Sequence, residues 1–116
     1  MTKPVTIRLA TREDAETITK MLINLAQDMG DGEIFASTED TIREHGFGAD
    51  PKFYTFIAEA EGHPVGMALF FRYFSTTRGM PGGFVHDLWV APSFRGQGLG
   101  TKLISAVATH SAKVWG

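Results

Sequence analysis

The chain has no cysteine. That excludes disulfides, a thiolate nucleophile and cysteine metal sites, and it fits a cytoplasmic protein. Long apolar runs are lacking too. The longest, such as Val65 to Phe71 with Gly66 inside, fall far short of the roughly 20 residues of a membrane span. Neither sign of charge dominates: the net charge is −2 over 116 residues. The basic patch of a nucleic-acid binder is missing, and so is the basic amphipathic arm of a membrane-surface protein. The opening Met1-Thr2-Lys3-Pro4 leads straight into an alternating segment, so no signal peptide is expected. There is no internal repeat and no low-complexity tract. What remains is an ordinary globular composition, 43% apolar and 21% charged, at a length that suits one domain around one core.

Val5, Ile7 and Leu9 alternate with Thr6 and Arg8, which predicts a half-buried first strand. Thr11 then reads as an N-cap, with Glu13 and Asp14 in the first turn, where the helix dipole favours acids. Ala15, Ile18, Leu22, Leu25 and Met29 share one helical face, so a helix is predicted from Arg12 to Gln27, ended by Gly30 and Gly32. Ser37 or Thr38 caps a second, short helix through Glu39, Asp40 and Ile42, stopped near Gly46 and Gly48. Phe53 to Ala60 reads as a strand, Glu61-Gly62-His63 as a tight hairpin turn and Val65 to Phe74 as a long strand. Phe70, Phe71, Tyr73 and Phe74 on that strand read as core. Ser75 to Gly83 carries Gly79, Pro81, Gly82 and Gly83 and reads as a loop. A fourth strand follows, Phe84 to Val90. The last helix is predicted from near Gly98 to Val114, with Leu99, Leu103, Val107 and Ser111 on one stripe. The order β-α-α-β-β-β-α is not the regular alternation of a doubly wound sheet. It predicts an α+β fold on a mainly antiparallel sheet.

The chemistry concentrates in Asp87 to Thr101. Behind the fourth strand come Pro92, then Arg95 and the alternating Gly96, Gly98 and Gly100, then a helix. Such a loop aims several backbone N–H groups at one phosphate, and the helix start adds positive partial charge. A P-loop needs Gly-Lys-Ser/Thr at its end, whereas Gly100 is followed by Thr101-Lys102 in the reverse order. The dinucleotide fingerprint needs Gly-x-Gly-x-x-Gly after a first strand; here the spacing differs and the strand is the fourth.

Arg95-Gly96-Gln97-Gly98-Leu99-Gly100, behind Leu88-Trp89-Val90-Ala91-Pro92, resembles the Q/R-x-x-G-x-G/A signature and preceding strand of the GNAT superfamily of N-acetyltransferases. Glu44-His45-Gly46-Phe47-Gly48, Phe53 to Glu59 and Tyr73-Phe74-Ser75-Thr76, with Ile7-Arg8 and Ala10-Thr11, resemble its spermidine/spermine and thialysine N-acetyltransferase branch. The resemblance covers nearly the whole chain but ends with the cofactor-binding helix. The family's next strand, next helix and last two strands, with a tyrosine that commonly serves as general acid, have no counterpart. A GNAT-like domain truncated at that point is the expectation.

The resemblance implies acetyl-coenzyme A as co-substrate and the primary amine of a small molecule, a polyamine, thialysine or similar, as acceptor. Its pyrophosphate would lie on Arg95, Gly96, Gln97, Gly98, Leu99, Gly100 and Thr101. Its pantetheine would pair with the backbone of Leu88, Trp89 and Val90, while the Trp89 side chain reads as packing. Amine acetylation needs a base to take a proton from the ammonium. The branch places a glutamate–aspartate pair in the fourth strand; here the pair is His86-Asp87. An imidazole titrates near neutral pH and can serve. Adjacent strand residues point to opposite faces, so both reach one cleft only through a bulge; a structural hydrogen-bonding role is open to each. Asp28 falls at the branch's acidic substrate contact. Thr76 falls where polyamine-specific members carry an acid, so a polyamine cleft would be short of a carboxylate. His45, His63 and His110 stand apart from one another, and no metal is expected. The rival expectation is a non-catalytic module that binds coenzyme A or serves in assembly. An open sheet edge would then be covered by a second copy, in a homodimer.

Overall fold

A computed structural model describes residues 4–115. Met1-Thr2-Lys3, from which the absence of a leader was expected, lie outside the described residues. The elements are β1 (Val5–Leu9), α1 (Ala15–Asp28), α2 (Glu39–Phe47), β2 (Tyr54–Ala60), β3 (His63–Ser75), β4 (Met80–Val90) and α3 (Leu99–Trp115). The four strands form one sheet in the order β1-β2-β3-β4, antiparallel throughout. This is the expected α+β arrangement, in the expected order β-α-α-β-β-β-α.

Both faces of the sheet are covered. Ala15, Ile18, Met21 and Leu22 of α1 and Ile42 of α2 pack on Ile57, Met67, Leu69 and Trp89. On the other face Leu99, Leu103 and Val107 of α3 pack on Ala58, Ala68 and Phe70. Alternation along each strand sends successive side chains to the two layers. That is why Leu69 belongs to one core and Phe70 to the other.

Helix starts obey local chemistry. Thr11 precedes a 3-10 turn, Arg12–Asp14, that leads into α1, so the α-helix proper begins three residues later than the periodicity suggests. The Thr11 N–H donates to Asp14 Oδ2 at 2.7 Å. Thr38, not Ser37, caps α2, its Oγ1 accepting from the Thr41 N–H at 3.2 Å. α1 closes with the N–H groups of Gly30 and Asp31 bonded back to the carbonyls of Gln27 and Ala26, the pattern of a Schellman cap.

Arg8 ties this corner together. Its guanidinium donates to Asp14 Oδ2 at 2.7 Å and Oδ1 at 2.9 Å, and its Nε to Glu59 Oε1 at 2.9 Å. The hydrogen bond from Arg8 holds the Asp14 carboxyl below the usual carboxylate range. A depressed carboxylate contributes stability above its unfolded pKa, about 3.9 for Asp, and loses it as pH falls through the lower folded value. Asp14→Asn is therefore expected to cost about 1–2 kcal/mol at pH 7, reduced by the partial exposure of Arg8. Urea unfolding at pH 7 and pH 3 checks this: the deficit should shrink at the lower pH.

Two expectations are corrected. Ser75 to Gly83 is not a loop. Met80 to Gly83 pair with Ser75 to Arg72, and only residues 76–79 turn. Pro81 lies on β4, an edge strand among the described residues, the kind of strand in which proline is accommodated. Gly83 is required by close approach: a Cβ there would lie 2.0 Å from Ser111 Oγ and 3.1 Å from Ser111 Cβ on α3. Gly83→Ala should push α3 outward and cost about 1–3 kcal/mol. Ser111 Oγ is buried with no hydrogen-bond partner, so Ser111→Ala should be near neutral alone and should recover part of that loss in the double variant. Denaturant midpoints of the three chains test this.

The second correction concerns the aromatic run. Phe70 is fully buried, but Tyr73 is 40% and Phe74 61% exposed.

Candidate active site

The ladder between β3 and β4 slips by one residue. Leu69 pairs with Asp87 and Phe70 with Val85, so His86 has no partner opposite. This is a bulge, and it changes which face each side chain takes. Asp87 opposes Leu69 on the α1 face. Phe71 stacks on Phe84 at 5.3 Å and meets His86 at 5.7 Å between ring centroids, which puts His86 on that face as well. A regular strand would have separated the two residues. His86 Nδ1 lies 3.0 Å from Asp87 Oδ2.

Both line a groove of about 710 Å³ between α1, the segment leading into α2, and the sheet. Leu22, Leu25, Phe35, Ile42, Phe53 and Leu69 make its walls apolar, while Asp31, Ser37 and Lys52 add polar groups to its lining. These last three escaped the sequence reading. They lie in loops and match no motif; only their position after helix and turn signals could have drawn attention to them.

The glycine loop follows directly on β4. Pro92–Phe94 form a 3-10 turn, and the Ala91 N–H is held by the Val65 carbonyl at 2.8 Å. Gly96 and Gly98 have φ of +77° and +79°, a region that favours glycine. A Cβ on either would meet nothing within 4 Å, so it is backbone conformation and not crowding that calls for glycine there. Gly100 lies inside α3, where a Cβ would touch only Leu88 Cδ2 at 3.7 Å. The first α3 bond reaching back to the loop runs from the Lys102 N–H to the Gly98 carbonyl at 3.1 Å. The amides of Leu99, Gly100 and Thr101 thus precede the helical ladder, where N–H groups have no intrahelical acceptor. Donors and positive helix end together suit a diphosphate.

The remaining candidates fall out as follows. Leu99, the first residue of α3, is buried against the sheet. Gln97 Nε2 donates to the Ser93 carbonyl at 3.2 Å, closing the loop on itself. Leu88 and Val90 point to the α3 core, and β4 forms the sheet's edge among the described residues, leaving one backbone side open. Trp89 is 8% exposed in the α1 core, a packing residue with its indole N–H satisfied. Arg95 Nε donates to the Val90 carbonyl at 2.8 Å and its Nη2 to Asp28 Oδ2 at 2.9 Å. Asp28 also accepts from Trp89 Nε1 at 3.2 Å. Thr76 sits in the turn at the hairpin tip, apart from the groove-lining residues. His110 packs among the rings of Tyr54, Phe56, Phe70 and Trp115 on the opposite face. No helix among the described residues is long and apolar enough to cross a membrane.

With this geometry in hand, three comparisons are informative. The model of the acetyltransferase (GNAT) family matches residues 19–116. The thialysine N-epsilon-acetyltransferase of Sus scrofa is 35% identical over 112 residues, which cover 90% of this chain and 65% of that protein. That of Mus musculus is 34% identical over 110 residues, covering 88% and 64%. The chain thus spans just under two thirds of the length of these relatives. Among solved structures, a ribosomal-protein-alanine N-acetyltransferase from Brucella melitensis biovar Abortus 2308 superposes with a TM-score of 0.72 at 24% identity, over 95% of this chain and 73% of that one. An aminoglycoside acetyltransferase from an uncultured soil metagenomic sample gives 0.74 at 20% identity, over 94% and 70%. At those identities the likeness is one of fold.

Proposed function

The chain belongs to the acetyltransferase (GNAT) family, and on that premise we propose that it transfers an acetyl group from acetyl-coenzyme A to a primary amine of a small molecule, a polyamine, thialysine or similar, by direct attack. The observation that carries this reading is the bulge at His86, which sets His86 beside Asp87 on the groove wall, immediately before the glycine loop.

Acetyl-coenzyme A would supply an activated acetyl thioester. Gly96, Gly98 and the leading amides of α3 would hold its diphosphate, and the open edge of β4 at Leu88 and Trp89 would align its amide-bearing arm as an added strand does. In the groove, Asp87 attracts the acceptor's ammonium. With Nδ1–H donated to Asp87, His86 presents Nε2 as the acceptor of the proton that the ammonium must lose. Apolar walls hold the methylene body of the amine, and Asp31, Ser37 and Lys52 offer polar contacts to the rest of it. Relatives named for thialysine support that acceptor class. We further propose a cytoplasmic homodimer, with the exposed Met80 and Phe84 side chains at the hairpin end of β4 as an apolar patch that a second copy would cover.

Calorimetric titration with acetyl-coenzyme A, followed by a thiol-release assay with lysine, thialysine, spermidine and small monoamines, tests the proposal. Binding with turnover of at least one amine is expected. Binding without any turnover favours a non-catalytic coenzyme A module, and absence of binding rejects the cofactor.

A further inference from the structure

The roles suggested by resemblance keep Asp28 and Arg95 apart, one on the acceptor and one on a phosphate. Their side chains are instead bonded to each other. Asp28 is the last residue of α1, whose Leu22, Leu25 and Ala26 wall the groove. Arg95 belongs to the glycine loop, 67 residues further on. One carboxylate oxygen, Asp28 Oδ2, accepts from Arg95 Nη2 at 2.9 Å and from Trp89 Nε1 at 3.2 Å. The same guanidinium donates through Nε to the Val90 carbonyl at 2.8 Å. Three elements meet at this point: the groove wall, β4 and the loop.

A half-exposed ion pair by itself is worth little. This one has more than Coulomb attraction behind it. Arg95 also lies at the C-terminal end of α1, where the helix dipole favours a cation. Its planar fork is held at two points, so little rotamer freedom remains to be lost when the loop takes up a ligand. Trp89 is buried and depends on the same oxygen for its N–H. We infer that Asp28 and Arg95 form a positioning pair that fixes the glycine loop against the end of α1, so that the cofactor loop and the acceptor wall are ordered together and binding at one favours binding at the other. The coupling to ligands rests on acetyl-coenzyme A being the ligand of the loop; the ordering of the loop does not. Linkage requires the effect to be reciprocal.

The test uses the 116-residue chain with Asp28→Asn, Arg95→Lys and the double variant. The asparagine keeps an oxygen for the Trp89 N–H and removes the charge; the lysine keeps the charge and loses the fork. Hydrogen exchange of the ligand-free chains comes first. The amides of Arg95 and Lys102, which donate to the Pro92 and Gly98 carbonyls at the two ends of the loop, should exchange about ten-fold faster in Asp28→Asn, with β3 amides and the thermal midpoint nearly unchanged; equal exchange at both overturns the inference. Calorimetry with acetyl-coenzyme A follows, with and without saturating spermidine or lysine. Each single variant should weaken coenzyme binding by about ten-fold, the double variant by no more than either, and the amine's effect on coenzyme affinity should vanish. Weakening by Arg95→Lys alone, with Asp28→Asn silent, would instead make Arg95 a direct phosphate contact and overturn the pair. A raised amine KM in Asp28→Asn with coenzyme affinity intact would overturn it in favour of direct acceptor contact. If the unaltered chain binds no coenzyme, the functional reading fails, and hydrogen exchange alone decides whether the pair orders the loop.

Discussion

Alanine in place of His86 is expected to lower kcat for amine acetylation by about 10²–10⁴-fold, the usual worth of a positioned general base. The argument is geometric. Only the unpaired residue of the bulge brings an imidazole and a carboxylate to the same face, 3.0 Å apart. The His86 side chain is 59% exposed, so its loss opens no cavity and the fold should survive. Coenzyme affinity should be unchanged, because the loop lies beyond the strand end. Asp87→Asn is the companion variant. It removes the charge that draws the ammonium and weakens the hold on Nδ1, so it should raise the amine KM as well as lower kcat. Thiol release at saturating coenzyme, with amine varied and pH scanned from about 6 to 9 around the imidazole range, measures both. A His86→Ala chain whose pH profile and kcat match the unaltered chain would reject His86 as the base.

Gly98→Asp is the second large effect: coenzyme binding should weaken by about 10²-fold or more. At φ +79° aspartate is among the few residues that accept a left-handed backbone, so the loop can keep its shape. The new carboxylate would then face the diphosphate, and like charges in contact cost several kcal/mol, with each 1.4 kcal/mol a factor of about ten. Gly98→Asn separates charge from backbone strain, since it has nearly the same shape and no charge. It should lose only a few-fold. Calorimetry on the three chains reads the difference; equal losses for Asn and Asp would mean that conformation, not charge, governs the loop.

Much of the fold was legible because its signals are local. The α1 stripe, the Glu61-Gly62 hairpin and the strand–Pro–Arg-Gly-x-Gly-x-Gly–helix order each act over a few residues, and each reappears in the structure. The misread stretch, Ser75 to Gly83, failed for a physical reason. Glycine and proline oppose strands when judged one residue at a time. Here Pro81 sits on an edge strand among the described residues, and Gly83 is small because Ser111 presses on it. Tyr73 and Phe74 looked like core by hydrophobicity, yet they stand 40% and 61% exposed.

The site divides in the same way. The glycine loop, the two positive-φ positions and the helix start behind them were determined by the sequence alone, because backbone preference and capping act within a turn or two. Tertiary structure decided the rest. Whether His86 and Asp87 share a face depends on how β4 registers against β3, a matter of one residue's slip that packing of both sheet faces settles. Whether Arg95 points to a phosphate or to Asp28 depends on where α1 ends relative to a loop 67 residues away. No local preference reaches that far; only the closing of the sheet under α1 brings the two charges together.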